Sequence, residues 1–329
     1  MSKFVFNIVA ISVLVIFVFF VMLICLPMDK DDYLLEYNKK IEIIKKTPGP
    51  RLIFIGPSTL AFGIDSKQIS DSLGINVINM GLHAGIGARY YIDDYLHYVR
   101  EDDIVLISPS YYGDFLHGGN GFPETMPDLM IATGWRNIER LNYEQLLQLF
   151  KGTPFYCLRS LMKLRRPPME KFNPMQKNQE FRFVASGFNE YGDEISHWII
   201  PSNTIKKENT DELLLSYNKE KCDKAFLIYL KRSIEKYINK GARVLIMPEL
   251  CSHTNYVLYK PAYLEEDMLR YGLVFFASPS KFEFHDSLSY NGWGAPHLSR
   301  AGVTLASERL VSLLRNNKSI KSVARQADR

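Results

Sequence analysis

Charge of one sign, cysteine and internal repetition are all scarce in this chain. Its 329 residues carry a net charge of only +4. That balance does not suggest nucleic acid, whose binding usually takes a concentrated basic face. Four cysteines occur, and the three beyond the N-terminal segment, Cys157, Cys222 and Cys251, have neither zinc-site spacing nor the density of a disulfide framework. One disulfide and three reduced thiols are both compatible with them. No grouping of His, Asp and Glu has metal-ligand spacing, so neither a metal nor another cofactor is expected. No segment repeats. What remains is a chain long enough for one sizeable core, rich in Phe and Tyr.

The N-terminus has its own absence: no charged residue falls between Phe4 and Leu26. A helix of that length spans a bilayer core. No small-x-small cleavage site follows, and the run is longer than the apolar core of a signal peptide. Bulky Ile24 before Cys25 argues against a lipoprotein site. Residues 1–28 therefore read as a retained anchor in the cytoplasmic membrane. Lys3 precedes the span and Asp29-Lys30-Asp31-Asp32 follows it, which puts the N-terminus inside and the main domain on the periplasmic or extracellular face. Residues 29–50 are polar with scattered Leu and Ile and read as a juxtamembrane helical stalk, ended by Thr47-Pro48-Gly49-Pro50.

Beyond the stalk, apolar runs alternate with helical periodicity. Leu52–Ile55, Ile75–Asn79, Ile104–Ile107, Arg243–Met247 and Leu273–Phe276 read as five strands, and Ile92, Leu96 and Val99 mark one intervening helix. Continuous apolar strands between helices predict an α/β fold, three-layer α/β/α around a mainly parallel five-stranded sheet. From about 110 to 220 the rhythm breaks, and this stretch reads as an insertion over the catalytic edge of a domain covering 51–316. Phe181-Arg182-Phe183-Val184 has the look of a hairpin strand. Ser299 is a candidate N-cap for the last helix, and 317–329 is a polar tail.

Gly56-Pro57-Ser58 directly follows the first strand and places a hydroxyl on the turn at the sheet's C-terminal edge, where α/β enzymes bind ligands. Pro296-His297-Leu298 precedes the last helix. Serine and histidine so disposed suit a nucleophile and base pair, far apart in sequence but able to meet in space. With Gly56–Asp65, Asn79-Met80-Gly81, Asn189–Asp193 and His297–Gly302, the chain resembles the SGNH (GDSL-type) hydrolase superfamily over about Arg51 to Leu314. Within it the chain is most similar to membrane-anchored proteins of cell-envelope acylation, such as alginate O-acetylation and teichoic acid D-alanine transfer proteins. The resemblance implies Ser58 as nucleophile, His297 as general base, and Gly81 as an oxyanion-hole donor with Asn79 bracing its loop. It also implies a cell-envelope glycan or polymer as acceptor, and a multi-spanning membrane O-acyltransferase as partner.

The chain departs from that pattern at two places. Gly294 stands where the superfamily commonly has the triad Asp, and Ser108–Asp114 supplies no third-block Asn. Asp286 is the nearest upstream acid and the candidate third triad member; Asn291 is another candidate to orient His297, and Asp286 also reads as a structural or solvated carboxylate. A rival reading follows: a catalytically impaired protein that binds a glycan or a membrane partner. His83 reads as a hydrogen-bonded loop histidine, and Tyr111 and Tyr112 as core residues with a cleft-lining alternative. Arg159, Lys163, Arg165, Arg166, Lys171 and Lys177, opposed only by Glu170, form a basic stretch suited to anionic headgroups or to a solvated face.

Overall fold

A computed structural model describes residues 2–26, 28–164, 183–200, 222–292 and 295–317. Of the expected features, Gly294, residues 181–182, 165–177 and all of the tail but Asn317 lie outside these.

Four strands, β1 (Arg51–Ile55), β2 (Asn76–Asn79), β3 (Ile104–Ile107) and β4 (Arg243–Ile246), form a parallel sheet in the order β2-β1-β3-β4. Both faces are covered, which is why the strands carry runs of apolar residues, Leu52–Ile55, Val77–Ile78, Ile104–Ile107 and Val244–Ile246, rather than alternating ones. Ile53, Ile55, Val105 and Ile107 face a core shared with α2 (Glu36–Lys46), α5 (Ala88–Tyr95), α6 (Met126–Thr133) and α8 (Lys224–Asn239). Leu52, Phe54, Ile104 and Leu106 face the other way, onto α4 (Ser66–Leu73) and α11 (Arg300–Asn316). The chain leaves β1 toward β2 on one side and returns to β3 on the other. The strand order thus reverses between β1 and β3, the position where open α/β sheets place their ligands.

The fifth strand is a correction. Phe275 makes one isolated parallel bridge to Ile246, and Phe276 N–H donates to Ile246 O at 2.8 Å, but pairing stops there. Val274 points out to solvent, so this edge buries too little to extend the ladder. Two further pairs lie off the main sheet: β5 (Cys251–Ser252) with β6 (Glu283–Phe284), and the antiparallel β7 (Ser289–Gly292) with β8 (Ala295–Leu298).

Residues 29–50, expected to stand apart as a stalk, lie against the domain instead. Tyr33, Tyr37, Lys40 and Ile44 recur at helical spacing and all are buried. Tyr37 Oη donates to Asp94 Oδ2, and Lys40 Nζ donates to Asn79 O at 2.8 Å and to Gly192 O. The Lys-Glu-rich composition of this helix hides a buried face.

α1 (Ser2–Cys25) is long and apolar enough to cross a membrane over Lys3–Leu23. Its C-terminal end packs on α6 and on α7 (Tyr143–Leu164): Leu23 meets Tyr156 and Cys157, and Phe20 lies 5.7 Å from Trp135 between ring centroids. The described parts of the insertion join the main core through Met126, Leu129 and Met130. Cys157, Cys222 and Cys251 are buried free thiols, and Cys25 is exposed. Ser299 occupies the N-cap position of α11, but its hydroxyl donates to Leu288 O at 2.9 Å and not to the helix.

Candidate active site

The sharp exit from β1 builds the site. A Cβ on Gly56 would lie 2.6 Å from Ser108 O, so only glycine lets the turn pass this close to β3. Pro57 is extended, and Ser58 opens the short helix α3 (Ser58–Ala61) half-buried at the sheet's C-terminal edge. On the opposite wall, the β7–β8 hairpin carries His297, which is buried. His297 Nε2 and Ser58 Oγ are 3.0 Å apart. In the Nδ1–H tautomer, Nε2 accepts the serine proton. Rings hold the imidazole in place, with Phe62 at 4.6 Å, Phe183 at 6.0 Å and Tyr290 at 6.1 Å between centroids.

The other nominated residues have different positions. Both Asp286 oxygens are hydrogen-bonded to Thr254, from its amide at 3.0 Å and its hydroxyl at 2.7 Å, which braces α9 (His253–Tyr259). Gly81 passes so close to α3 that a Cβ would meet Leu60 Cβ at 2.7 Å and Ala61 N at 2.9 Å. Its N–H donates to Asn79 Oδ1 at 2.9 Å, so it is committed within the loop rather than presented to a substrate. Asn79 is fully buried. Its Nδ2 donates to Leu60 O at 2.9 Å and to Asp193 Oδ1 at 2.8 Å, so it braces the floor under Ser58. Asp193 in turn accepts the hydroxyl and amide of Ser66, and burial raises its pKa. The Asn189–Asp193 stretch is thus scaffold for the serine turn.

His83 Nδ1 accepts from Gly85 N–H at 2.9 Å, and burial lowers its pKa to about 4, so it is neutral at pH 7. Tyr111 is core, while Tyr112 sits at the surface against His117.

Two constellations were not assigned a role from the sequence. Glu249, at the end of β4, accepts from Tyr111 N–H at 2.6 Å and from Thr59 Oγ1 at 3.3 Å, next door to Ser58. Burial raises its pKa to about 8, and the Asp114 carboxyl adds to the rise against those two donors. Asp114 is itself raised to about 6 by burial. An acid two or three residues past a parallel strand shares Ser58's edge, and that placement was the available signal. The second is Glu194 Oε2 with His197 Nδ1 at 2.7 Å, both fully buried, the imidazole stacked on Tyr290 at 5.3 Å. It forms a second layer behind the rings that hold His297.

Among the described residues no group of His, Cys, Asp and Glu has the arrangement of a metal site. The geometry offers a serine oxygen with an imidazole in hydrogen-bond reach, a pair suited to nucleophilic attack on an acyl carbon. No known protein family, no curated protein and no solved structure matches the chain.

Proposed function

We propose that this protein is a serine acyl-transfer enzyme of the SGNH kind, an O-acyltransferase or esterase, held by α1 at the outer face of the cytoplasmic membrane. The observation that carries the reading is the 3.0 Å contact of His297 Nε2 with Ser58 Oγ at the point where the strand order reverses.

In this reading His297 takes the Ser58 proton as Oγ attacks the acyl carbonyl of a donor. Negative charge gathers on the carbonyl oxygen, and the Ser58 amide is the donor assigned to it. Collapse of the tetrahedral intermediate expels the donor's leaving group, which receives the proton from His297. The acyl group is then on Ser58. A hydroxyl of a cell-envelope glycan or polymer, or water, gives its proton to His297 and takes the acyl group, and His297 returns that proton to the departing Ser58 Oγ. A multi-spanning membrane O-acyltransferase is the partner suited to supply acyl groups across the bilayer.

A second reading has its own support: Asp286 is engaged with Thr254, and the Gly81 amide with Asn79. A protein that binds a glycan or a membrane partner without turnover fits those two facts. A fluorophosphonate probe separates the readings. Wild type labels and Ser58→Ala does not if the enzyme reading holds. A folded, accessible wild type that stays unlabelled favours the binding protein.

A further inference from the structure

α7 is two-faced in an unusual sense. Its inner face, Leu149, Thr153, Tyr156, Cys157 and Ser160, is buried. Its outer face presents Phe150, Phe155, Leu158, Leu161 and Met162 to the surroundings, with Phe155 69% exposed and Phe150 62% exposed. Soluble surfaces rarely carry large apolar side chains contiguously on one helix, and such a stripe marks an interaction surface. From Lys151 to Leu164 the helix has Lys151, Arg159 and Lys163 and no acidic residue.

What covers this face follows from where α7 sits. Cys157 Sγ is 3.8 Å from Phe19 O, and Tyr156 and Cys157 pack with Leu23. Phe19 and Leu23 belong to the apolar span Lys3–Leu23. At 1.5 Å per residue its 21 residues measure about 31 Å, close to the roughly 30 Å of a bilayer's hydrocarbon core. With α1 in a bilayer, Phe19 and Leu23 are at the outer boundary of that core. The α7 turns that touch them are then at the same depth, and their outward side chains meet acyl chains rather than water.

We infer that α7 is a second membrane element, lying in the outer-leaflet interface with Phe150, Phe155, Leu158, Leu161 and Met162 among the upper acyl chains. Lys151, on the same helix, is at the headgroup level, while Arg159 pairs with Asp128. Helices of this make-up lie in the interface plane with the apolar face at the headgroup–acyl boundary. The inference rests on the proposal that α1 spans the membrane.

The test uses the full-length chain in phosphatidylcholine–phosphatidylglycerol vesicles. Cys25→Ser removes the exposed thiol, leaving three buried ones. A bimane label is placed in turn through Phe155→Cys, Val13→Cys in α1 and Val274→Cys on the far sheet edge, all exposed positions. Quenching is read with lipids bearing a nitroxide near the top of the acyl chain. The expected result is quenching at 155 severalfold above that at 274, with 13 also quenched by nitroxides deeper in the chain. Quenching at 13 with 155 behaving like 274 overturns the inference and leaves the span intact. No quenching at 13 removes the span and the inference with it. Position 155 unquenched in vesicles, yet photo-crosslinked to a membrane protein in native membranes, also overturns it, with a protein as the true cover.

Discussion

Tyr290 and His297 stand opposite each other across the β7–β8 pair, and Tyr290 also stacks on His197. The tyrosine ring therefore lies between two imidazoles, and ring packing steers the one that reaches Ser58. Among the described residues the Tyr290 hydroxyl is buried without a hydrogen-bond partner. Leaving such a hydroxyl unmet costs about 1–3 kcal/mol. Tyr290→Phe keeps the ring and removes the hydroxyl. The variant is expected to unfold thermally no earlier than wild type and to retain probe labelling at Ser58. Tyr290→Ala, which removes the ring, is expected to lose labelling.

Glu249 gives a pH signature. Its pKa is about 8 in the folded protein against an ordinary 4.5, so the folded state holds the proton that the unfolded state releases. That stabilisation is complete below pH 4.5 and is lost as pH rises toward and through 8. Its size is on the order of a few kcal/mol. Urea unfolding of wild type and Glu249→Gln across this range is expected to diverge as pH rises, with wild type the one that weakens. Parallel curves would contradict the assignment.

Gly81→Ala tests the close approach of the second loop to α3. The added methyl meets Leu60 Cβ and the Ala61 amide, one of them backbone. Overpacking of this kind costs about 1–3 kcal/mol. Displacement of α3 carries Ser58 away from His297. Probe labelling is expected to fall far more than a comparably destabilised variant elsewhere, a comparison made by matching melting temperatures.

Arg51 and Asp103 tie the entry ends of β1 and β3, both side chains fully buried, with Nε to Oδ1 at 3.0 Å. Asp103→Ala strands the guanidinium charge in the core. The expected loss is about 3–5 kcal/mol, measured by urea denaturation, without a direct effect on the Ser58–His297 pair.

The strands were legible because β1, β3 and β4 hold continuous apolar runs, Leu52–Ile55, Ile104–Ile107 and Val244–Ile246, the pattern of a covered parallel sheet. Ser58's place at the sheet edge was legible because it follows the apolar run of β1 through a glycine turn; serine is also common at such turns and helix starts, so its role was not. The structural reading of Asp286 is the one its hydrogen bonds to Thr254 favour, since nearness in sequence to His297 says nothing about which way a loop aims a carboxylate. The role of α2 was hidden because Lys40 and Glu36 are buried by specific partners that composition does not reveal. Glu249 was silent for the same reason: a carboxyl kept protonated by burial looks, in sequence, like any surface glutamate.

The docking of α2 on the domain also fixes how far Ser58 can lie from the end of α1. Seven residues, 26–32, join the end of α1 to the first residue of the folded domain. Fully extended they measure about 25 Å at most, and they are not extended, since Leu26 N–H still bonds Met22 O and Asp32 N–H bonds Asp29 O. With α1 anchored, Ser58 has no leash on which to search the envelope. Under the proposed function, its substrates must come to the membrane surface, and a glycan strand would be acylated while it is still there.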